Sequence, residues 1–178
     1  TRDGITPRLD PKNRFLPNDT YSWVSKNRRT GEVFERGVLS VTKINDQTVE
    51  MSDGGIYTRT GAVQVVKMGK ALYSLDPPQV FFPPEDFKIG DKWQTQSIIK
   101  YGFLNLKSSS DLKVIAIDDV SIEAGILRAY RLSIETVNSY ENVSMTMWLH
   151  PDYGIPIKYI ISSNKRGGYS WEISKLPR

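Results

Sequence analysis

Residues 39–50, LSVTKINDQTVE, and residues 112–123, LKVIAIDDVSIE, follow one pattern in the two halves of the chain. Leu, Val, Ile, Asp and Glu recur in register, and the other changes include Asp for Asn and Ser for Thr. Both copies alternate apolar with polar residues, which is typical of a half-buried β-strand. Each also has an Asn-Asp or Asp-Asp pair near its middle, a pair that favours a turn. The pattern therefore predicts a β-hairpin that occurs twice.

The likeness extends upstream, where FLPNDTYSW at residues 15–23 is echoed by FKIGDKW at residues 87–93. It predicts two related halves, about 15–77 and 87–160, within a single all-β domain spanning residues 15–178. Residues 76–90 contain two Pro-Pro pairs, which cannot donate ladder hydrogen bonds, and we expect a stiff connector between the halves. Residues 1–14 mix prolines with charges and predict a flexible leader.

Period-two alternation continues through most of the remaining chain, for example in 130–134, 145–149 and 169–173. One set of alternate positions is apolar and the other is often polar, as in antiparallel sheets with one solvated face. Turn signals rich in Gly, Asn and Asp separate about eleven such segments. The sequence predicts an all-β fold, a curved antiparallel sheet or half-barrel built from two related halves. A two-sheet β-sandwich is the alternative.

Composition limits the classes of function. The chain has 178 residues, a net charge of +4, 39% hydrophobic residues and no cysteine, which excludes disulfides and thiolate chemistry within it. Residues 1–36 hold 8 basic and 5 acidic side chains, and residues 158–178 hold 5 and 1, so both ends are basic. This excess is too diffuse for a nucleic-acid interface, and we expect no nucleic-acid partner.

Residues with catalytic potential are better explained as turn residues. His150, the single histidine, precedes a proline at a strand end, and no nucleophile motif accompanies it. Asp118 and Asp119 match the Asn-Asp pair of the first half, so we interpret them as a turn. Glu85 and Asp86 fall in the proline-rich connector. The sequence therefore predicts no catalytic residue, no metal site and no cofactor.

Aromatic residues and basic turns give better candidates for binding. Trp23, Trp93 and Trp148 fall on predicted strands, where large rings build a core or line a cleft for an apolar ligand. Tyr153 lies in the turn between two strands of the second half. Two predicted hairpin tips are basic and suit anionic headgroups or phosphates. The candidate tip residues are Arg28, Arg29, Lys165 and Arg166.

Three segments carry a family resemblance: FKIGDKW at 87–93, VSIEAGILRAY at 120–130 and WLHPDYGIPIK at 148–158. They resemble bacterial envelope proteins of unknown function whose curved sheets are similar to the LolA/LolB-like periplasmic lipoprotein carriers. The resemblance covers residues 87–160 and, more dilutely, 15–77. It implies a periplasmic or outer-membrane location. The chain departs from the carrier pattern in having no obvious helices to plug the concave face.

These observations predict a non-enzymatic bacterial cell-envelope protein, a periplasm-facing lipoprotein that binds a lipid or other apolar ligand, or an envelope protein partner. Contact with a membrane is expected only through a lipid anchor. The alternative is a structural or assembly component of an envelope complex that docks through strand edges and basic hairpin tips. An enzyme on the same sheet is a third class, because fold alone does not determine function.

Overall fold

A computed structural model describes residues 14–83 and 87–178, together with Ile5, Pro7 and Asp10. Most of the predicted leader and the Glu85–Asp86 pair therefore lie outside the described residues. Twelve β-strands are present in the described part of the chain, and no helix there is long and apolar enough to cross a membrane. The strands are β1 (Thr20–Lys26), β2 (Val33–Ile44), β3 (Thr48–Met51), β4 (Ile56–Thr58), β5 (Val63–Met68), β6 (Ala71–Gln79), β7 (Lys92–Tyr101), β8 (Leu104–Ile122), β9 (Gly125–Asn138), β10 (Asn142–Leu149), β11 (Lys158–Ser163) and β12 (Gly167–Lys175).

The strands form one antiparallel meander in which each strand pairs with the next along the chain. The sheet curves until β1 pairs with β12, with Val24 opposite Glu172 and Lys26 opposite Ser170, and this pairing closes a barrel. The prediction of an all-β fold with a curved antiparallel sheet is confirmed, and the two-sheet alternative is not adopted. Curvature continues to closure because a closed sheet satisfies the backbone groups that an open edge would expose.

A closed meander has two ends that differ in character. We define the upper end by the turns after β1, β3, β5, β7, β9 and β11. The lower end contains the intervening turns, the entry of the chain into β1 and the exit from β12. Both described termini meet there, because the Arg178 guanidinium donates to the Asp19 carboxylate at 2.9 Å.

The inward face of the barrel is filled with apolar side chains. Residues directly opposite in antiparallel pairs share a face, so Tyr21, Leu39 and Ile173 point inward together with their alternate neighbours. Residues 112–134 and 147–149 supply a second inward cluster around Leu132. Loop residues complete the packing, and Phe15 is fully buried. The interior is therefore a packed core in its lower half.

The β8–β9 hairpin is longer than its neighbours and bends over the outside of the barrel. A bulge between Val114 and Ala116 changes its register and bends the strand. Beyond the bulge the hairpin reaches β12, where the Glu123 amide donates to the Glu172 carboxylate at 2.5 Å. Glu172 and Val24 are buried, although the register places them on the outward face. The part of the hairpin beyond the bulge, which we call the arm, covers these two side chains and explains their burial.

The arm corrects the interpretation of Asp118 and Asp119 as turn residues. Both lie within β8, opposite Ala129 and Arg128, and the turn comes later, at residues 123–124. In the first half, by contrast, Asn45 does cap the β2–β3 turn, because its side-chain oxygen accepts from the Thr48 amide at 2.8 Å. The first half has a register shift at the equivalent place, between Val41 and Lys43, but β8 continues to Ile122, so equivalent letters occupy different structural positions. A duplication of the halves stays a prediction.

Closure also restricts the strand edges on which the assembly alternative relied. β1 is paired on both sides, by β2 and β12, so within the described residues the first and last strands leave no open edge between them. β2 pairs with β3 from Val41 onward, so residues 33–39 of β2 pair with β1 on one side. Docking through strand edges stays a prediction, and residues 33–39 are one stretch with a partner strand on one side.

Candidate functional site at the basic upper end

Pairing of the first and last strands brings the two basic turns together. The β1–β2 turn holds Arg28 and Arg29, and the β11–β12 turn holds Lys165 and Arg166. Arg28 lies so close to β12 that its Cδ is 3.4 Å from the position a Cβ on Gly168 would take. The four candidate tip residues therefore share one side of the upper end, although more than 130 residues separate the two turns along the chain.

A buried carboxylate fixes the second basic turn. The Arg166 guanidinium donates to both oxygens of Glu141, at 2.6 and 2.9 Å, and the Ser163 hydroxyl donates to the same carboxylate. Burial alone would raise the pKa of Glu141, but these donors hold that pKa below its usual value. The hydrogen bond to Glu141 also raises the pKa of Arg166. Arg166 is consequently a positioned cation, tied to the neighbouring β9–β10 turn.

An aromatic ladder leads from the core to these turns. Trp23 stacks on Trp171 with ring centroids 6.2 Å apart, and Trp171 stacks on Tyr159 at 5.1 Å. Tyr159 contacts Tyr169 edge to face at 6.0 Å, and Tyr169 contacts Phe34 at 6.3 Å. Burial raises the pKa of the Tyr159 hydroxyl, so that ring stays neutral in any ordinary buffer. The ladder ends at Phe34, which is 60% exposed.

Register explains why these rings meet. Trp171 is opposite Tyr159 on β11 and opposite Ser25 on β1, so the rings occupy one inward face across three strands. Trp23 fits beneath them because Gly37, its partner on β2, has no side chain where the indole lies. A β-strand glycine covered by a neighbouring aromatic ring is a recurrent packing device.

Trp93 lies elsewhere, near the lower end of β7. Its indole donates to the Val80 carbonyl at 3.3 Å and packs against the second core cluster. The adjoining outward face has a shallow cleft of about 510 Å³, lined by Lys92, Trp93, Gln94, Asp111, Leu112, Lys113, Ser133 and Glu135. The register turns the Trp93 and Leu112 side chains inward, toward the second core cluster.

Trp148 faces outward beneath the arm. Its indole donates to Asp118 at 2.9 Å, and Arg131 forms an ion pair with the same carboxylate oxygen at 3.3 Å. The Lys158 ammonium lies 5.4 Å from the Trp148 ring centroid, within cation–π range. These contacts hold the bent hairpin against β10 and β11, so the side chain performs a structural role.

Tyr153 is buried at the lower end. Its hydroxyl donates to the Arg178 carbonyl at 2.8 Å, and the Arg178 guanidinium lies 5.0 Å from its ring centroid. Nearby, Arg14 donates to the Thr60 carbonyl at 2.8 Å and stacks over Phe82. Burial lowers the pKa of Arg14 to about 10, despite the opposing effect of Asp152. This network closes the lower end.

Of the candidate binding residues, the structure places the four basic tip residues on one side of the upper end and connects Trp23 to that end through Trp171, Tyr159 and Tyr169. Trp93, Trp148 and Tyr153 are separated from them and from one another. The residues that sequence reasoning did not select are Trp171, Tyr159, Tyr169 and Phe34. Tyr169 and Trp171 are two residues apart on one strand, which indicates that their rings share a face. The pairing of β12 with β1 is needed to place Trp23 beside them.

No protein-family model and no curated protein matches the sequence. Among solved structures, the hypothetical lipoprotein YmcC of Escherichia coli K12 aligns with a TM-score of 0.52 at 14% identity, covering 90% of this chain and 88% of YmcC. A "putative lipoprotein" of Parabacteroides distasonis ATCC 8503 aligns with a TM-score of 0.52 at 10% identity, covering 94% and 100%. The similarity to LolA/LolB-like carriers stays a prediction. The chain shares its fold with two bacterial proteins described as lipoproteins.

Proposed function

We propose that this chain is a non-enzymatic bacterial cell-envelope protein that binds an amphiphilic ligand at its upper end. The apolar part of the ligand lies on the outer rungs of the aromatic ladder, and its anionic group meets the basic tips. The observation that carries this proposal is the continuous series of rings from partly buried Trp23 to exposed Phe34, which passes through Tyr169, the residue next to Gly168 against which Arg28 lies.

A ligand of this kind suits both halves of the site. Aromatic rings gain from covering by apolar groups, and they bury large areas with little loss of side-chain entropy. Guanidinium groups donate in a planar fork that matches phosphate and carboxylate oxygens. Arg166 is already held by Glu141, so its remaining donors have a fixed direction. A ligand with one anionic group and an alkyl or polyprenyl chain satisfies the cation and the rings together.

The uses of the buried ionic groups support a non-enzymatic role. Asp19 pairs with Arg178, Glu141 pairs with Arg166, and Glu172 accepts from Lys26 at 2.9 Å. His150 accepts the Asp152 amide at its Nδ1, 3.1 Å away, as a turn residue does. Each of these groups is engaged in holding strands or turns. Catalytic acids, by comparison, are placed toward a cleft with shifted pKa values.

The bacterial origin and the lipoprotein description of both structural neighbours support an envelope location for this chain. We propose a periplasm-facing position with a lipid anchor on the segment that enters the lower end. Mass spectrometry of the protein from its own cells tests this placement, and an N-terminal peptide without acyl mass contradicts it.

Ligand binding is tested by titrating the protein with monomeric lysophosphatidylglycerol and following tryptophan fluorescence. We expect a saturable change that Trp171→Phe reduces, because the Trp171 indole lies within the ladder. Phe34→Ser should weaken the affinity by about threefold to tenfold, the value of one aromatic contact. Ile126→Ser, which removes an exposed apolar side chain near the β8–β9 turn at the lower end, serves as the matched control.

Neutral lysophosphatidylcholine distinguishes the two parts of the site. The zwitterionic ligand should bind more weakly, and the double variant Arg28→Gln, Arg166→Gln should remove the difference. Equal titration curves for wild type and the Phe34→Ser and Trp171→Phe variants would exclude the ladder as the binding surface. A flat titration with both ligands would exclude the proposal altogether.

The one-sided stretch of β2 favours an assembly role as a second candidate. Phe34 and Val38 are each 60% exposed on residues 33–39, where a partner strand has room to add. Strand addition would slow the exchange of the backbone amides in this stretch when a soluble envelope extract is present. Unchanged amide exchange across residues 33–39 rejects this candidate.

A further inference from the structure

Two neighbouring turns at the upper end share one compact geometry. Met68 pairs with Ala71 around a Gly69-Lys70 loop, and Tyr101 pairs with Leu104 around a Gly102-Phe103 loop. The two glycines have φ of 63° and 56°, as the first central position of a type II′ turn requires. A two-residue loop allows the backbone few conformations. The second position, Lys70 in one turn and Phe103 in the other, is therefore held out in solvent.

These turns carry the most exposed apolar side chains at the upper end. Phe103 is fully exposed to solvent, and Tyr101 and Leu104 are about half exposed. Tyr73 and Tyr101 pack with ring centroids 4.9 Å apart, which joins the β5–β6 and β7–β8 turns into one surface. Leu72 adds a side chain that is 45% exposed. An apolar surface of this extent indicates an interaction site.

The charge around this surface is mostly positive. Residues 63–75 and 92–110 contain five lysines and no acidic residue. Lys67, Lys70 and Lys107 are exposed near the two turns, and Lys100 pairs with the exposed Asp76 at 3.2 Å. The occupant must therefore offer negative charge at its surface and an apolar layer beneath it. A lipid bilayer with anionic headgroups has that composition.

We propose that the β5–β6 and β7–β8 turns dock the barrel onto an anionic lipid bilayer, with Phe103 and Leu104 inserted below the headgroups. Tyr101 and Tyr73 then lie at the interface, where aromatic rings with a polar end are favoured. The lysines lie at headgroup depth. This function goes beyond ligand binding at the aromatic ladder and uses separate residues, although both surfaces belong to the upper end.

Two other occupants fit less well. A second copy in a symmetric dimer would bring Lys67 and Lys70 against the same residues of its partner, and like charges at short distance repel. A protein groove for Phe103 would require acidic residues around a pocket on the partner. The protruding turns offer single anchors without a pocket of their own, which is the form of an inserting tip.

Vesicle co-sedimentation of the full chain tests the proposal. Vesicles of phosphatidylglycerol and phosphatidylethanolamine should bind the protein, and vesicles of pure phosphatidylcholine should bind it far less. Phe103→Ser should lower the partition coefficient by about tenfold, because a phenyl group leaves the acyl boundary. Lys67→Gln with Lys70→Gln should lower the partition coefficient by roughly twenty-five-fold, about fivefold for each lysine.

Matched controls come from the lower end. Ile126 is 77% exposed on the β8–β9 turn, and Lys92 is exposed at the start of β7. Ile126→Ser and Lys92→Gln should leave vesicle binding unchanged. Circular dichroism of every variant checks that the barrel is folded. Because the chain has no cysteine, Phe103→Cys and Ile126→Cys each accept one environment-sensitive fluorophore.

The fluorophore at residue 103 should shift to shorter wavelength with anionic vesicles, and the fluorophore at residue 126 should not. Equal responses at both positions would overturn the proposal. So would vesicle binding that Phe103→Ser leaves intact, or self-association that Phe103→Ser abolishes without any vesicle binding. Phe34→Ser, which tests the ladder, should bind vesicles normally, so the failure of one proposal can be distinguished from the failure of the other.

Discussion

The indole of Trp23 lies directly against the Cα of Gly37 on the neighbouring strand, in the volume that any larger residue would need. Gly37→Ala forces the Trp23 ring to move against Trp171, and overpacking of this kind costs about 1–3 kcal/mol. Urea denaturation should show this loss in the free energy of unfolding. Val38→Ala, on an exposed neighbour, should change it by less than about 0.5 kcal/mol. Wild-type stability in Gly37→Ala would disprove the close packing.

Two buried tyrosines should respond in opposite ways to loss of the hydroxyl group. Tyr21 is fully buried, and its hydroxyl has no hydrogen-bond partner among the residues described. Tyr21→Phe should therefore be neutral or stabilising. Tyr153→Phe removes the hydrogen bond to the Arg178 carbonyl and should cost about 1 kcal/mol. Thermal unfolding of both variants checks the contrast, and equal losses would contradict it.

The pair of Asp19 and Arg178 should contribute far more to stability than the pair of Asp76 and Lys100. Asp19 is buried, and its carboxylate also accepts the Leu16 amide at 3.0 Å. Asp19→Ala removes the carboxylate partner of the partly exposed Arg178 guanidinium, which keeps its hydrogen bonds to the Asp152 and Arg14 carbonyls, and should cost about 1.5–3 kcal/mol. Asp76→Ala breaks an exposed pair and should cost about 0–1 kcal/mol. Similar denaturation midpoints would refute this ranking.

Acid should loosen the upper end through Glu141. The pKa of this carboxyl is lowered in the folded protein by Arg166 and Ser163, whose donors outweigh its burial. A depressed folded-state pKa gives stability that is present above the unfolded value of about 4.3 and is lost as pH falls through the folded value. Unfolding measured from neutral pH down to about pH 3 should follow this course.

Glu141→Gln is the variant that isolates this effect. It should be less stable than wild type at neutral pH, and the difference should shrink as the solution is acidified. Glu123→Gln is a control on an exposed ion pair with Arg36, for which a smaller difference is expected. If the free energy of unfolding of Glu141→Gln changed with pH in parallel with that of wild type, Glu141 would not be the cause of the acid effect.

The local sequence pattern predicts the strands and most of the turns, because period-two alternation and turn residues act over short range. The Asn45 cap is an example, since its oxygen bonds amides two and three residues away. The turn prediction for Asp118 was wrong because β8 continues through residues 118 and 119, paired with β9, and turns only at residues 123–124, before Gly125.

The candidate site at the upper end depends on strand pairings that local sequence patterns do not reveal. Trp23 meets Trp171 only because β1 pairs with β12, and nothing in either strand specifies the other. Phe103 was not selected because an aromatic residue next to a glycine resembles any strand residue. Its signal was the Gly102-Phe103 pair between two alternating segments, which predicts a two-residue turn with the ring outside.

The pairing of β1 with β12 also sets the order in which the protein can be completed. During synthesis or export from the amino terminus, β1 has β2 as its neighbour but must wait for the last strand to emerge. Until then the sheet is open, with two edges able to pair with other chains, and such long-range contacts form slowly. A chaperone that shields β1 during this interval would matter more for yield than any gain in core stability.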